Sequence, residues 1–321
     1  MIKRLFVMLC MQAGLMATCF GQVPEDGLKK KNISDTFLLR TRTLLLQGTF
    51  NGQSALLQLF PGKHYRLASD KYVNEMINWE CKNCKAQVYE DVNDDNAGSF
   101  PYKEGVATRL MNVMDFKDSS GQQYKVISFN HSEFDADGAQ VSRFTGGLLG
   151  LAKFVQTDQG WNLRMFQPAI KAYGAFSSCP TPTPLLIGTD QYAFMLKHSN
   201  GGGGGPFDGT YFLIAGVNGG YQQVMAAYGI ERTEGGVEEG PLSFWTSTYS
   251  VPASDKKYFR DIVITMKGTA SATDTDRLPD EVKALLKGKK TAHFTAEQRF
   301  VYKGATKGYQ LQLPVKASLT K

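Results

Sequence analysis

A mainly β chain is predicted, an antiparallel meander folded into a sandwich or an open barrel, with one short helix near the C-terminus. Three observations predict it. Apolar and polar residues alternate along most of the 321 residues rather than recurring at helical spacing. Turn-forming residues punctuate those runs, as in TDQG at 157–160, GTDQ at 188–191 and VNGG at 217–220. One segment alone, DRLPDEVKALLKGKK at 276–290, combines helix start and stop signals with an apolar face.

The N-terminus carries Lys3 and Arg4 followed by an uncharged, mostly apolar run from Leu5 to Phe20, the layout of a secretory signal peptide. It is short for a membrane span and lacks a charged flank behind it, so cleavage after Gly21 is expected, leaving no transmembrane span in the mature chain. The competing reading takes LMATC as a lipoprotein box acylated at Cys19; Thr18 suits that poorly. The expected destination is the periplasm, the outer surface or the medium. The organisation read from the sequence is a signal peptide at 1–21, a β-rich region at 22–145 and a second β-rich region at 146–321, the last two forming two domains or one continuous one.

The formal net charge of +6 is modest, and the densest basic groups, LKKKN at 28–32 and KGKK at 287–290, are too short to form a nucleic-acid stripe. Next along the chain, TRTLLLQGTFNGQSALLQLF (41–60) reads as two short strand-like runs around glycine and asparagine turns. MINWECKNCKAQVYEDV (76–92) reads as strand, tight turn, strand. In an exported protein those flanks favour a disulfide between Cys81 and Cys84 over free thiols, a redox pair or half a metal site. Cys179 is then an odd, inert thiol.

Two acidic stretches follow. EDVNDDNAG (90–98) has the oxygen density of a calcium loop, but Asn96 and Tyr102 stand where an EF-hand needs glycine and a carboxylate, so a solvated turn is favoured over an irregular Ca²⁺ site. In NHSEFDADG (130–138), period two places His131, Glu133, Asp135 and Asp137 on one strand face. Such a face suits a hard cation such as Ca²⁺, or supplies acid and base groups, with Glu133 and Asp135 the candidate catalytic pair. The plainer alternative is the solvated side of a hairpin.

The strand candidates continue with YKVISFNHSEF (124–134) and with hairpins at 147–167, about 188–191 and about 217–220. Trp161, Tyr192 and Tyr221 each follow a turn at near-regular spacing, which hairpins of similar length explain better than a propeller repeat. The five glycines at 201–205 precede Pro206 and a strand pattern. A phosphate loop needs Lys and Ser or Thr opening a helix, so the run reads as a loose surface loop and no nucleotide cofactor is expected. In the helix, Asp280 and Glu281 suit the positive end of the dipole, while Val282, Leu285 and Leu286 share a face. The chain closes on strand, turn, strand over 293–313.

No G-x-S-x-G, H-E-x-x-H or paired D-[TS]-G motif occurs, and the four histidines are scattered. Those findings lean away from an enzyme. GGLLGLAKF, GWNL, LLIGTDQYAFMLKHSNGGGGG and FVYKGATKGYQLQL, mainly within 146–314, resemble exported bacterial proteins of uncharacterised function in the style of Bacteroidota secreted proteins. The resemblance implies a β-rich exported body and no particular activity. Three functions follow as expectations: a non-catalytic binding protein with a protein or glycan partner in the envelope; a hydrolase of an envelope polymer; or an inhibitor or immunity factor for a secreted enzyme.

Overall fold

The computed structural model describes residues 28–66, 75–134, 144–201, 204–233 and 243–320, with the side chains of 94–97 left aside. The signal-peptide reading and Cys19 therefore lie outside the described residues, as do Asp135 and Asp137.

The first sheet uses the N-terminal half. Its elements in chain order are β1 (Lys31–Asn32), β2 (Leu45–Leu46), α1 (Gly52–Leu59), β3 (Lys63–Arg66), β4 (Glu75–Glu80), β5 (Gln87–Asp91), β6 (Asp94–Phe100), β7 (Val106–Lys117), β8 (Gln123–Glu133), β9 (Gly147–Thr157), β10 (Gly160–Gln167) and β11 (Ala172–Tyr173). The strands lie in the order β1-β4-β7-β8-β9-β11-β5-β6, with β3 added on β4 and β10 bridging β9 to β2. Parallel pairs at β1·β4 and β5·β11 make the sheet mixed.

The second sheet is an antiparallel meander in chain order: β12 (Thr183–Gly188), β13 (Gln191–Gly201), β14 (Phe207–Val217), β15 (Gly220–Arg232), β16 (Phe244–Ser250), β17 (Ile262–Ser271), β18 (Thr291–Tyr302) and β19 (Tyr309–Thr320). The helix α2 (Asp280–Leu285) sits between β17 and β18, and no barrel closes among the described residues. The mainly β class, the meander, the hairpins and the C-terminal helix are thus as the sequence predicts. No helix among the described residues is long and apolar enough to cross a membrane.

Two local readings differ. The stretch 41–60 keeps a strand only at β2, and its second half is α1. Asn51 caps that helix by accepting the Ser54 N–H at 2.8 Å, and Ala55, Leu56 and Leu59 turn one face inward. A short apolar run fits either period, and packing decided between them. The strands flanking Cys81 and Cys84 are β4 and β5, but they are not hairpin partners: β4 pairs with β7 and β5 with β6. The sheets part at 174–182, so β9, β10 and β11, all beyond residue 146, belong to the first sheet.

Three of the four apolar clusters among the described residues hold the layers. Under α1, Leu56, Leu59 and Phe60 pack on Trp79, Phe129 and Phe154 of the first sheet. On its other face Phe116, Val126, Leu149 and Leu151 meet Phe194, Leu196, Phe212 and Ile214 of the second. Burial on both faces explains why GGLLGLA at 146–152 reads as a nearly unbroken apolar run. The third cluster joins residues from β12 through β19 with Leu278, Val282 and Leu286 around α2. Eight flat strands would span about 34 Å. A single cluster reaching across them requires the second sheet to curl around it.

Candidate functional site

The curl has a seam. β15 pairs with β14 along its length but, among the described residues, meets β16 at one residue pair, Arg232 with Trp245. Trp245 Nε1 donates to Gly229 O at 2.9 Å there. Arg232 bridges Asp208 and Asp274, each at 2.9 Å, which fastens the junction. Beyond it the strands diverge, and a groove of about 940 Å³ opens between β15 and the β18–β19 hairpin. At its far end the hairpin returns to β15: Gln222 Nε2 donates to Ala305 O at 3.0 Å. Gly308 lies against the Val224 carbonyl, at φ +61°, where an added Cβ would stand 2.2 Å from that oxygen.

Gln298 lies at this groove. In β18 the inward residues are Phe294, Ala296, Gln298 and Phe300, an apolar row with one amide in it. Gln298 is only 7% exposed, lines the groove, and has no side-chain hydrogen-bond partner among the described residues. The residue is buried, but its amide atoms reach the groove, where they are open to hydrogen bonding. The strand geometry is special at the same point. Glu297 pairs with Lys316 but Arg299 with Gln312, so Leu313, Pro314 and Val315 bulge opposite Gln298. Glu281 of α2 accepts the Val315 N–H at 2.8 Å and so ties the helix to that bulge. Tyr228, a largely exposed aromatic, lines the groove on the β15 side.

A second groove of about 560 Å³ adjoins the first at Gln222 and Gln223 and is also lined by Arg40, Tyr89, Gln167 and Lys171. Gln223 Oε1 accepts from Tyr173 Oη at 2.9 Å. Lys171 Nζ pairs with Glu90 at 2.6 Å, and that hydrogen bond holds the Glu90 carboxyl below its usual range. A third, more apolar pocket of about 480 Å³ adjoins at Arg40 and Gln167 and reaches Cys84 and Phe100.

The residues singled out by sequence lie elsewhere. His131 and Glu133 do share a face of β8, but the His131 end of it points into the core. His131 is fully buried among Phe60, Trp79, Phe100 and Phe129. Both ring nitrogens are engaged, Nδ1 with Thr108 Oγ1 at 2.7 Å and Nε2 with Pro168 O at 2.9 Å. Burial drives its pKa down to about 3, against which the Pro168 carbonyl pulls weakly, so the ring is neutral. Glu133 ends β8 opposite Val106. No group of three or more His, Cys, Asp or Glu among the described residues is placed to hold a metal ion.

Cys81 and Cys84 form a disulfide, with Cα atoms 5.3 Å apart. Cys179 is a buried free thiol, and burial pushes its pKa up, which suits an inert core residue. Of the glycine run, Gly202 and Gly203 lie outside the described residues, and Gly201, at the end of β13, pairs with Phe207 of β14. Asp91, in the acidic stretch, organises chain: it accepts from Asn93 N at 3.0 Å and from Gly146 N at 2.7 Å.

Sequence reasoning missed Gln298 and Arg40. The signal available for Gln298 was an amide within the alternating row Phe294, Ala296, Phe300, whereas Arg40 had no local signal at all. Comparison with protein-family models, with curated proteins and with solved structures found no match.

Proposed function

We propose that this chain is an exported, non-catalytic binding protein whose ligand seats in the groove beside β15. One observation carries the reading: Gln298, buried in an apolar row at a β-bulge, presents an unpartnered amide to that groove. An amide set in an apolar row and open to the groove is placed to hydrogen-bond a ligand seated there. The rest of the lining agrees. Asn218, Gln222 and Thr306 offer neutral donors and acceptors around Tyr228, which suits a polyhydroxylated ligand such as a glycan. The Cys81–Cys84 disulfide favours an oxidising compartment outside the cytosol. Together with the signal-peptide layout it supports the envelope or the medium as the destination.

The test is calorimetric titration of the purified chain with a panel of soluble envelope glycans, in parallel with Gln298→Leu. At least one glycan binds, and the variant loses about tenfold or more of that affinity without melting earlier. Binding of no panel member, or equal binding by Q298L, overturns the reading.

A further inference from the structure

We propose that the second groove is a carboxylate subsite, so that the ligand is an acidic glycan, a chain containing hexuronic acid residues. This rests on the binding role assigned to the groove beside β15. Arg40 lies where the second groove meets the third, and its guanidinium has no hydrogen-bond or ion-pair partner among the described residues. The other cation of that groove, Lys171, is already committed to Glu90. Arg40 is exposed, and the end of its side chain rests against Gly220. A Cβ on Gly220 would stand 1.7 Å from Arg40 Nη2, so the end of the exposed arginine would have to move aside for a side chain there.

Beside it, Gln167 Oε1 is buried without a hydrogen-bond donor and would be 3.3 Å from the same Cβ, while the Gln167 amide nitrogen donates to Ala169 O at 2.7 Å. An unpaired fork of N–H groups matches a carboxylate bidentately. An orphan acceptor next to it matches a hydroxyl. A hexuronic acid carries both groups on one ring. As the guanidinium turns toward the carboxylate, the neighbouring acceptor opens to the hydroxyl. Lys307, at the rim of the first groove and likewise without an ion-pair partner among the described residues, supplies a second positive point along the run.

An extended acidic peptide is the competing occupant. It would bind most simply as a strand added to the free edge of β15, which needs a lane about 4.8 Å wide. Gly308 against Val224 O and the Gln222–Ala305 hydrogen bond close that lane.

The experiment titrates wild type, R40Q, R40K and G220A with a hexamer of 1,4-linked uronic acid, the matching neutral hexamer and hexaglutamate. The uronate hexamer binds wild type, and its affinity falls as sodium chloride is raised. R40Q loses about tenfold or more on the uronate and little on the neutral hexamer, and R40K recovers part of the loss. G220A weakens uronate binding less than R40Q does, because its methyl shifts only the free end of the arginine and leaves the charge in place. Equal binding of neutral and acidic hexamers with R40Q silent overturns the carboxylate subsite and leaves the binding role standing. Hexaglutamate binding tighter than either sugar overturns the glycan assignment. Failure of both sugars and the peptide to bind overturns the underlying role as well.

Discussion

Thr108 Oγ1 lies 2.7 Å from His131 Nδ1 and accepts the Trp79 indole N–H, also at 2.7 Å. The hydroxyl therefore donates to the ring, Nδ1 is the acceptor, and Nε2–H donates to Pro168 O. A chain of hydrogen bonds thus ties β4, β7, β8 and the segment after β10 together inside the core beneath α1.

That chain sets a pH dependence. The folded ring titrates near 3 and the unfolded one near 6.5, so the unfolded state binds the extra proton between them. His131 contributes stability that is fully present above pH 6.5 and is lost as the pH falls toward 3, by at most about 1.4 kcal/mol per unit. Urea midpoints measured from pH 7 to pH 4 should fall steeply for wild type. His131→Gln should start about 2 kcal/mol lower and show a flatter slope. A wild-type midpoint indifferent to pH over this range contradicts a neutral buried ring.

Gln298→Leu should stabilise the unliganded fold by about 0.5–1 kcal/mol, because leucine completes the apolar row Phe294, Ala296, Phe300. Thermal melting reads the gain directly. A variant that melts earlier indicates that the amide has a structural partner.

Arg232→Met should cost about 2–3 kcal/mol, since it takes one partner from each of two carboxylates, leaving Asp274 with the Ser243 N–H and Asp208 with Arg277, where β15 pairs with β16. Amide hydrogen exchange should quicken first in β15 and β16. Uniform quickening across both sheets would show that the seam is not a separate unit.

Reducing the Cys81–Cys84 bond, or replacing both cysteines with serine, should cost about 2 kcal/mol, the chain-entropy value for so short a loop. Melting with and without reductant checks this. Because Cys84 lines the pocket that adjoins Arg40, uronate affinity should weaken alongside.

What was legible in the sequence was local. Asn218 and Gly219 carry φ of 50° and 78°, values that asparagine and glycine accept cheaply, so VNGG names its own hairpin turn. Asp190, at φ 54°, does the same in GTDQ. Asp280 and Glu281 announce the start of α2. In each case the chemistry that fixes the structure sits within a few residues of the structure it fixes.

What escaped was set by partners far along the chain. Ala55, Leu56 and Leu59 fit a strand or a helix until the core above β8 takes one face of them. His131 and Glu133 share a side of β8 as their spacing requires, yet nothing near them says that Phe60 and Trp79 will bury the histidine. The groove is the extreme case. It exists because β15, among the described residues, leaves β16 after one residue pair and is bridged again by Gln222 and Ala305, 83 positions apart. Alternation and turn residues by themselves determined the strands and their succession. Which face of each strand is dry, and where two of them separate to leave Gln298 without a partner, only the curl of the second sheet decided, because burial depends on what packs from elsewhere in the chain.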